Sequence, residues 1–153
     1  MGRRAAILTY HAVADSPRAD DPLDLVVSPE RFAEQMAFLH EHRRVVSLAD
    51  VVRGDLGAGP PPVAITFDDG YRSVLEHALP VLERHGFPAT VFVPTRWVGR
   101  AAEWLDRDDR PLPIMDADEL RAVDRRGVAV ESHGHGHVNL AEADFDTARA
   151  DML

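Results

Sequence analysis

The 153-residue sequence predicts an α/β fold built on parallel strands. Five apolar, β-branched runs alternate with helix signals, the pattern of consecutive β-α-β units. The segments after strands are long at Ala12 to Val27 and Thr95 to Met115, whereas most returns from helix to strand are short, Gly54 to Pro62 being the exception. Two polar clusters also follow strand runs directly, at the carboxyl edge where parallel α/β proteins gather functional side chains. Such units pack as a doubly wound sheet or as a β/α barrel.

Strands are expected at Ala5 to Tyr10, Arg44 to Val46, Val63 to Phe67, Ala89 to Val93 and Val128 to Glu131. Ser28 before Pro29 opens a helix whose Phe32, Met36 and Leu39 recur at i, i+4 and i+7 on one face. Ser47 to Arg53 reads as a short helix stopped by Gly54. Ser73 to His85 carries Val74, Ala78, Val81 and Leu82 on one side, bends at Pro80 and stops at Gly86. Asp116 and Glu119 match a capping box, so a helix runs through Leu120 and Val123 to Gly127. A last helix spans Leu140 to Leu153. No internal repeat, heptad or low-complexity run interrupts this order, so residues 1–153 read as one domain, with Gly57 to Pro62 a surface turn.

Hydrophobic residues make up 45% of the chain, enough to bury a core, and the net charge of -9 argues against a nucleic-acid partner, which demands a positive surface. The same acidity disfavours an anionic membrane. No apolar run approaches the ~20 residues of a membrane span, and Thr9, Tyr10 and His11 cut the first one short of a signal peptide. Met1-Gly2-Arg3-Arg4 reads as a solvated chain end, and the expected location is cytoplasmic. Without cysteine, any metal must be held by His, Asp and Glu, which suit zinc and similar divalent ions.

The first polar cluster is Thr66-Phe67-Asp68-Asp69-Gly70-Tyr71. Adjacent aspartates on a regular strand face opposite ways, but Gly70 lets the backbone turn, so both carboxylates can reach one pocket. One can then ligate a metal while the other takes a proton from the metal's water. The pair can equally cap a turn or the following helix. The second cluster is Glu131 to His137, in which His133 and His137 are four apart and can meet at a common point on a compact loop containing Gly134 and Gly136. Three of the eight histidines crowd into five residues there, and the middle one, His135, points away from any ion the outer two share. His11 ends the first strand on the same edge and either lines the pocket or makes a structural hydrogen bond. His40, His42, His77 and His85 fall on helices and read as solvated or helix-end residues. Trp97 and Trp104 lie in the long loop after Val93, where an aromatic can stack on a sugar or anchor the loop, the commoner use. The acidic run Asp106-Arg107-Asp108-Asp109 reads as a solvated loop.

Taken together, Thr66 to Gly70 and Ser132 to His137 followed by Asn139-Leu140 resemble the first two signature motifs of the NodB-type polysaccharide deacetylases, carbohydrate esterase family 4. Leu8-Thr9-Tyr10-His11, Leu79-Pro80-Val81-Leu82, the run Gly86 to Val93, and Gly127-Val128 extend the likeness over nearly the whole chain. Tyr10-His11 is similar to the branch containing poly-N-acetylglucosamine deacetylases. The resemblance implies a distorted (β/α)7-type barrel, of which about five strands are present, and removal of N- or O-acetyl groups from an acetylated sugar or oligosaccharide. By position, it implies Asp68 as general base, and Asp69, His133 and His137 as ligands of a divalent metal, usually Zn2+.

The family's later motifs have no counterpart in these residues: an Arg-x-Pro-Tyr-like segment that orients the base, and a distal histidine that protonates the leaving amine. The expectation is therefore a C-terminally truncated domain with an open sheet edge. Two further readings compete with a deacetylase. One is a non-catalytic metal- or sugar-binding module, which keeps the ligands without the acid. The other is an aspartate-based phosphatase, which needs its carboxylates two positions apart and a later lysine, and this sequence contains no lysine.

Overall fold

The computed structural model describes residues 4–15, 25–104 and 112–153. Its centre is a five-stranded, entirely parallel sheet of β1 (Ala6–Tyr10), β4 (Arg44–Val45), β5 (Pro62–Phe67), β6 (Ala89–Val93) and β7 (Val128–Ser132). The path runs β1-β5-β6-β7, with β4 paired to the start of β5. All five strands fall within about a residue of the positions expected from sequence. The burial of each explains its composition. β5 is buried along its whole length and β6 nearly so, and both are continuous apolar runs, as strands covered on two faces must be. β1 and β7 are the outer strands of the path; they do not pair with one another and are largely exposed or half-buried, so the barrel is not closed.

The helices pack on this sheet through the faces read from their spacing. α1 (Pro29–His42) is capped by the Ser28 hydroxyl accepting from Arg31 N and buries Phe32, Met36 and Leu39. α2 (Leu48–Arg53) has Ser47 as its N-terminal cap and ends where Gly54 turns left-handed. α4 (Ala117–Arg125) closes the expected capping box and buries Val123. Together with Val63, Ile65, Phe67, Leu79, Leu82 and Val91, these side chains form one contiguous core. No helix among the described residues is long and apolar enough to cross a membrane.

Three elements differ from the sequence reading. Ala12 to Val27 is not all loop, because β2 (Ala12–Val13) and β3 (Val26–Val27) form a small parallel pair. The Ser73 to His85 helix is not a single bent helix. A wide i→i+5 turn spans Val74–Ala78, and α3 (Leu79–His85) follows. Pro80 explains the change: it has no N–H to donate and its ring crowds the carbonyl four residues earlier, so the preceding turn widens. The last helix starts at Phe145, not Leu140. Asn139 draws the chain into a turn first, its side chain accepting from Ala141 N and its carbonyl from Glu142 and Ala143 N. Asp144 then caps α5 (Phe145–Met152) by accepting from Thr147 N. The stretches Met1 to Arg3 and Asp106 to Asp109 lie outside the described residues.

Candidate metal centre

Strand register sets the site. Tyr10 pairs with Phe67, Phe67 with Val91, and Val93 with Ser132, so the residues just beyond β1, β5, β6 and β7 emerge together at one edge. His11, Asp68, Asp69, Thr95 and His133 are those residues. The two aspartates do not alternate as on a strand, because the backbone turns left-handed at Asp69 (φ 68°) and again at Gly70 (φ 68°). Gly70 is required twice over. An L-residue there is strained, and a Cβ would meet Cγ2 of Val93 at 2.7 Å.

Asp69, His133 and His137 each offer a donor atom within 4.8 Å of the other two. Asp69 Oδ1 lies 3.0 Å from His137 Nε2 and 3.5 Å from His133 Nε2. That oxygen is buried yet forms no well-aligned hydrogen bond, so the three donors converge on a shared point rather than on each other. A buried acceptor without a hydrogen-bond donor is costly in an ordinary core and expected where a cation completes the set. One carboxylate and two imidazoles fit a divalent ion such as zinc. Asp68 stands beside the cluster and outside it, its Oδ2 4.0 Å from His11 Nε2. His11 thus faces Asp68 at this edge of the sheet.

The histidine loop has its own backbone signature. His137 is the second non-glycine residue with positive φ among those described, at 60°. Such a conformation costs on the order of 1 kcal/mol for an L-residue and persists where the surroundings enforce it. The Thr95–Trp97 turn does so from one side, with Thr95 N and Arg96 N donating to the carbonyls of Gly134 and His135 at 3.1 and 2.9 Å. The indole N–H of Trp97 donates to Gly136 O at 3.1 Å. Trp104 lays its ring on that of His137, centroids 4.2 Å apart and planes 10° apart. Both tryptophans therefore serve as anchors of the histidine loop. His135 turns away and shares a 2.9 Å hydrogen bond with Thr95 Oγ1 through Nδ1.

The sequence reading passed over Trp104 as a partner of His137, and Tyr71, which is buried with its hydroxyl against Asp69. Asp151, which touches the histidine loop from α5, was missed as well. Stacking and cross-element hydrogen bonds leave no periodic trace in a chain. His40, His42, His77 and His85 take no part: they sit on α1, on the wide turn and at the end of α3, where the rings of His40 and His85 lie 5.1 Å apart.

Burial pushes the Asp69 carboxyl upward, but His137 and Tyr71 against it and the charge of His11 outweigh this, so it is held below its ordinary value of 3.8. His137 is raised above its ordinary 6.5, chiefly by the Asp69 carboxylate and against the effect of its own burial. The signs give a pH window for the metal-free protein. The Asp69 contribution to stability is present above the ordinary carboxylate value and is lost as pH falls through the lowered one. The His137 contribution is full below 6.5 and is lost as pH rises through the raised value. Metal-free protein is therefore expected to melt at lower temperature as pH rises from 6.5 through the raised His137 value. Zinc added at the upper end should restore the loss, since it needs the deprotonated ring. Thermal melting followed by circular dichroism across that range, with chelator and then with zinc, checks both. His137→Asn, which tolerates positive φ, should flatten the metal-free slope.

A parallel β/α sheet with carboxylates and a histidine loop at its carboxyl edge defines an α/β protein of the barrel type. The chain belongs to the NodB-type polysaccharide deacetylase family, whose sequence model, described as polysaccharide deacetylase, matches residues 56–153. It is 26% identical over 140 residues to YxkH of Bacillus subtilis (strain 168), a relative named for the same family, covering 88% of this chain and 43% of that protein. A poly-beta-1,6-N-acetyl-D-glucosamine N-deacetylase of Escherichia coli (strain K12) is 32% identical over 100 residues, 63% of this chain and 15% of that one. The chain thus spans less than half the length of these curated relatives. Among solved structures, the deacetylase PplD of Streptococcus pyogenes in complex with acetate superposes with a TM-score of 0.76 at 23% identity, over 99% of this chain and 66% of that one. IcaB from Ammonifex degensii gives 0.73 at 26% identity, over 95% and 58%.

Proposed function

We propose that this chain carries the catalytic centre of a metal-dependent carbohydrate deacetylase, with residues 1–153 forming one deacetylase-type domain. The observation that carries the reading is the convergence of the Asp69, His133 and His137 donor atoms, with Asp68 beside them and outside the set. The substrate class follows from relatives: one is named for N-acetylated glucosamine polymers, and another was solved with acetate, the acid that deacetylation releases.

Asp69, His133 and His137 would hold the ion, which we take to be zinc and which, when bound, would make water a better nucleophile at neutral pH. Asp69 stays anionic because its pKa is depressed, and the two histidines offer Nε2. Asp68 accepts the proton given up as water adds to the acetyl carbonyl. His11, 4.0 Å from Asp68 Oδ2, helps keep that carboxylate facing the cluster. The bond from the acetyl carbon to the sugar nitrogen or oxygen breaks, acetate leaves, and the sugar departs as amine or hydroxyl with the proton.

One observation favours a second reading, a non-catalytic metal- or sugar-binding module. The cluster sits beside β7, the outer strand of an open sheet, so among the described residues the site is walled on that side by its own loop and α5. An acetate-release assay on N-acetylglucosamine oligomers separates the two, run on this chain and on a form extended to the length of the curated relatives. Acetate should appear with zinc, vanish on chelation and return when zinc is restored. Stoichiometric zinc binding with no acetate from either form would establish the module instead, and release indifferent to chelation would refute metal dependence.

A further inference from the structure

The loop that carries His133 and His137 is gripped on two sides. On one side the Thr95–Trp97 turn takes up three successive carbonyls, those of Gly134, His135 and Gly136. On the other side the amides of His135 and Gly136 both point at Asp151, in the last turn of α5. His135 N donates to the Asp151 main-chain carbonyl at 2.8 Å, and Gly136 N donates to its carboxylate oxygen Oδ1. The last carbonyls of a helix have no partner within it, so this one is open to a donor from outside. Asp151 is only 8% exposed, the only acidic residue besides Asp69 buried among those described. A carboxylate is buried at a cost unless N–H groups compensate it, and the loop amide of Gly136 does so here.

Gly134 completes the fit. Its φ is +72°, and a Cβ at that position would run into Asp151 Oδ2, so the glycine leaves the space that the carboxylate fills. The amides of His135 and Gly136 therefore go to α5, while the carbonyls of Gly134, His135 and Gly136 go to the segment after β6. The two imidazoles at its ends are left to face Asp69.

We infer that Asp151 is the positioning residue of the site: by clamping the amides of the histidine loop it fixes His133 and His137 on the point they share with Asp69. This rests on the metal-centre reading above. It assigns a role to a residue outside the converging donor set, in an element separate from both signature clusters. Hydrogen-bonding partners behind metal ligands typically contribute ~10–100-fold in metal affinity.

The test compares Asp151→Ala, Asp151→Asn and Asp144→Ala in the 153-residue chain. Asp144→Ala removes the N-terminal cap of the same helix without touching the loop. Zinc affinity is measured by chelator competition, and backbone amide exchange is measured on the metal-free proteins. Asp151→Ala should weaken zinc ~10–100-fold and speed exchange at Gly136. Asp151→Asn, which keeps an acceptor oxygen, should recover most of both, and Asp144→Ala should leave zinc affinity unchanged. Equal losses in Asp151→Ala and Asp144→Ala would mean that general helix stability is at work, and overturn the assignment. So would wild-type affinity in Asp151→Ala. If the unmodified chain itself fails to bind zinc, the metal reading falls. Gly136 exchange reports on the clamp independently, and its remaining unchanged in Asp151→Ala would overturn the clamp whatever zinc does.

Discussion

Zinc binding is expected to collapse when His133 is replaced by alanine. His133 is the cleanest of the three proposed ligand positions to remove. Its side chain is 37% exposed, whereas Asp69 is buried and both Asp69 and His137 sit at positive φ. Alanine at either of those would combine ligand loss with backbone strain. Two donors cannot complete a tetrahedral site, so the loss should be well beyond the ~100-fold that outer-shell changes produce. Isothermal titration with zinc, alongside melting of the metal-free variant, measures it. The expected result is a metal-free melting temperature close to that of the parent with no saturable zinc binding. Retained affinity would place the ion elsewhere.

The second large effect is expected at Asp68, with the opposite signature. Asp68→Asn keeps shape and hydrogen-bonding length but cannot take a proton at neutral pH. Asp68 is not among the converging donors, so zinc affinity should survive. Acetate release, measured in whichever form of the protein shows it, should fall by ~10²–10⁴, the contribution of a positioned general base. The two variants together form a dissociation: one loses metal and activity, the other activity alone. Equal zinc loss in both would make Asp68 a ligand, and unchanged acetate release in Asp68→Asn would remove it from the chemistry.

Much of this arrangement was legible before any coordinates. Strands β5 and β6 announce themselves because burial on both faces forces unbroken apolar runs, and the caps Ser28, Ser47 and Asp116 mark helix starts by chemistry local to a few residues. That Asp69, His133 and His137 gather at one edge was legible for a related reason, since parallel strands deliver their trailing residues there. The rest was hidden where the physics is not local. β2 and β3, at two residues each, are too short to carry a period. The start of α5 depended on competition between Asn139 and Asp144 for nearby amides. The ring of Trp104 on His137 and the hold of Asp151 on the histidine loop join residues 33 and 15 positions apart through tertiary packing alone.

The left-handed backbone at Asp69 and His137 also limits how the proposed metal centre can be re-engineered. Only a few residue types accept that geometry cheaply, chiefly glycine, asparagine, aspartate and histidine. Thiolate or longer carboxylate donors, which would be chosen to favour softer or larger ions, meet a conformational penalty at both positions before any coordination chemistry is considered. His133, on ordinary backbone, has no such restriction. Attempts to retune ion preference should begin there, and diversification at the other two should draw on that short alphabet.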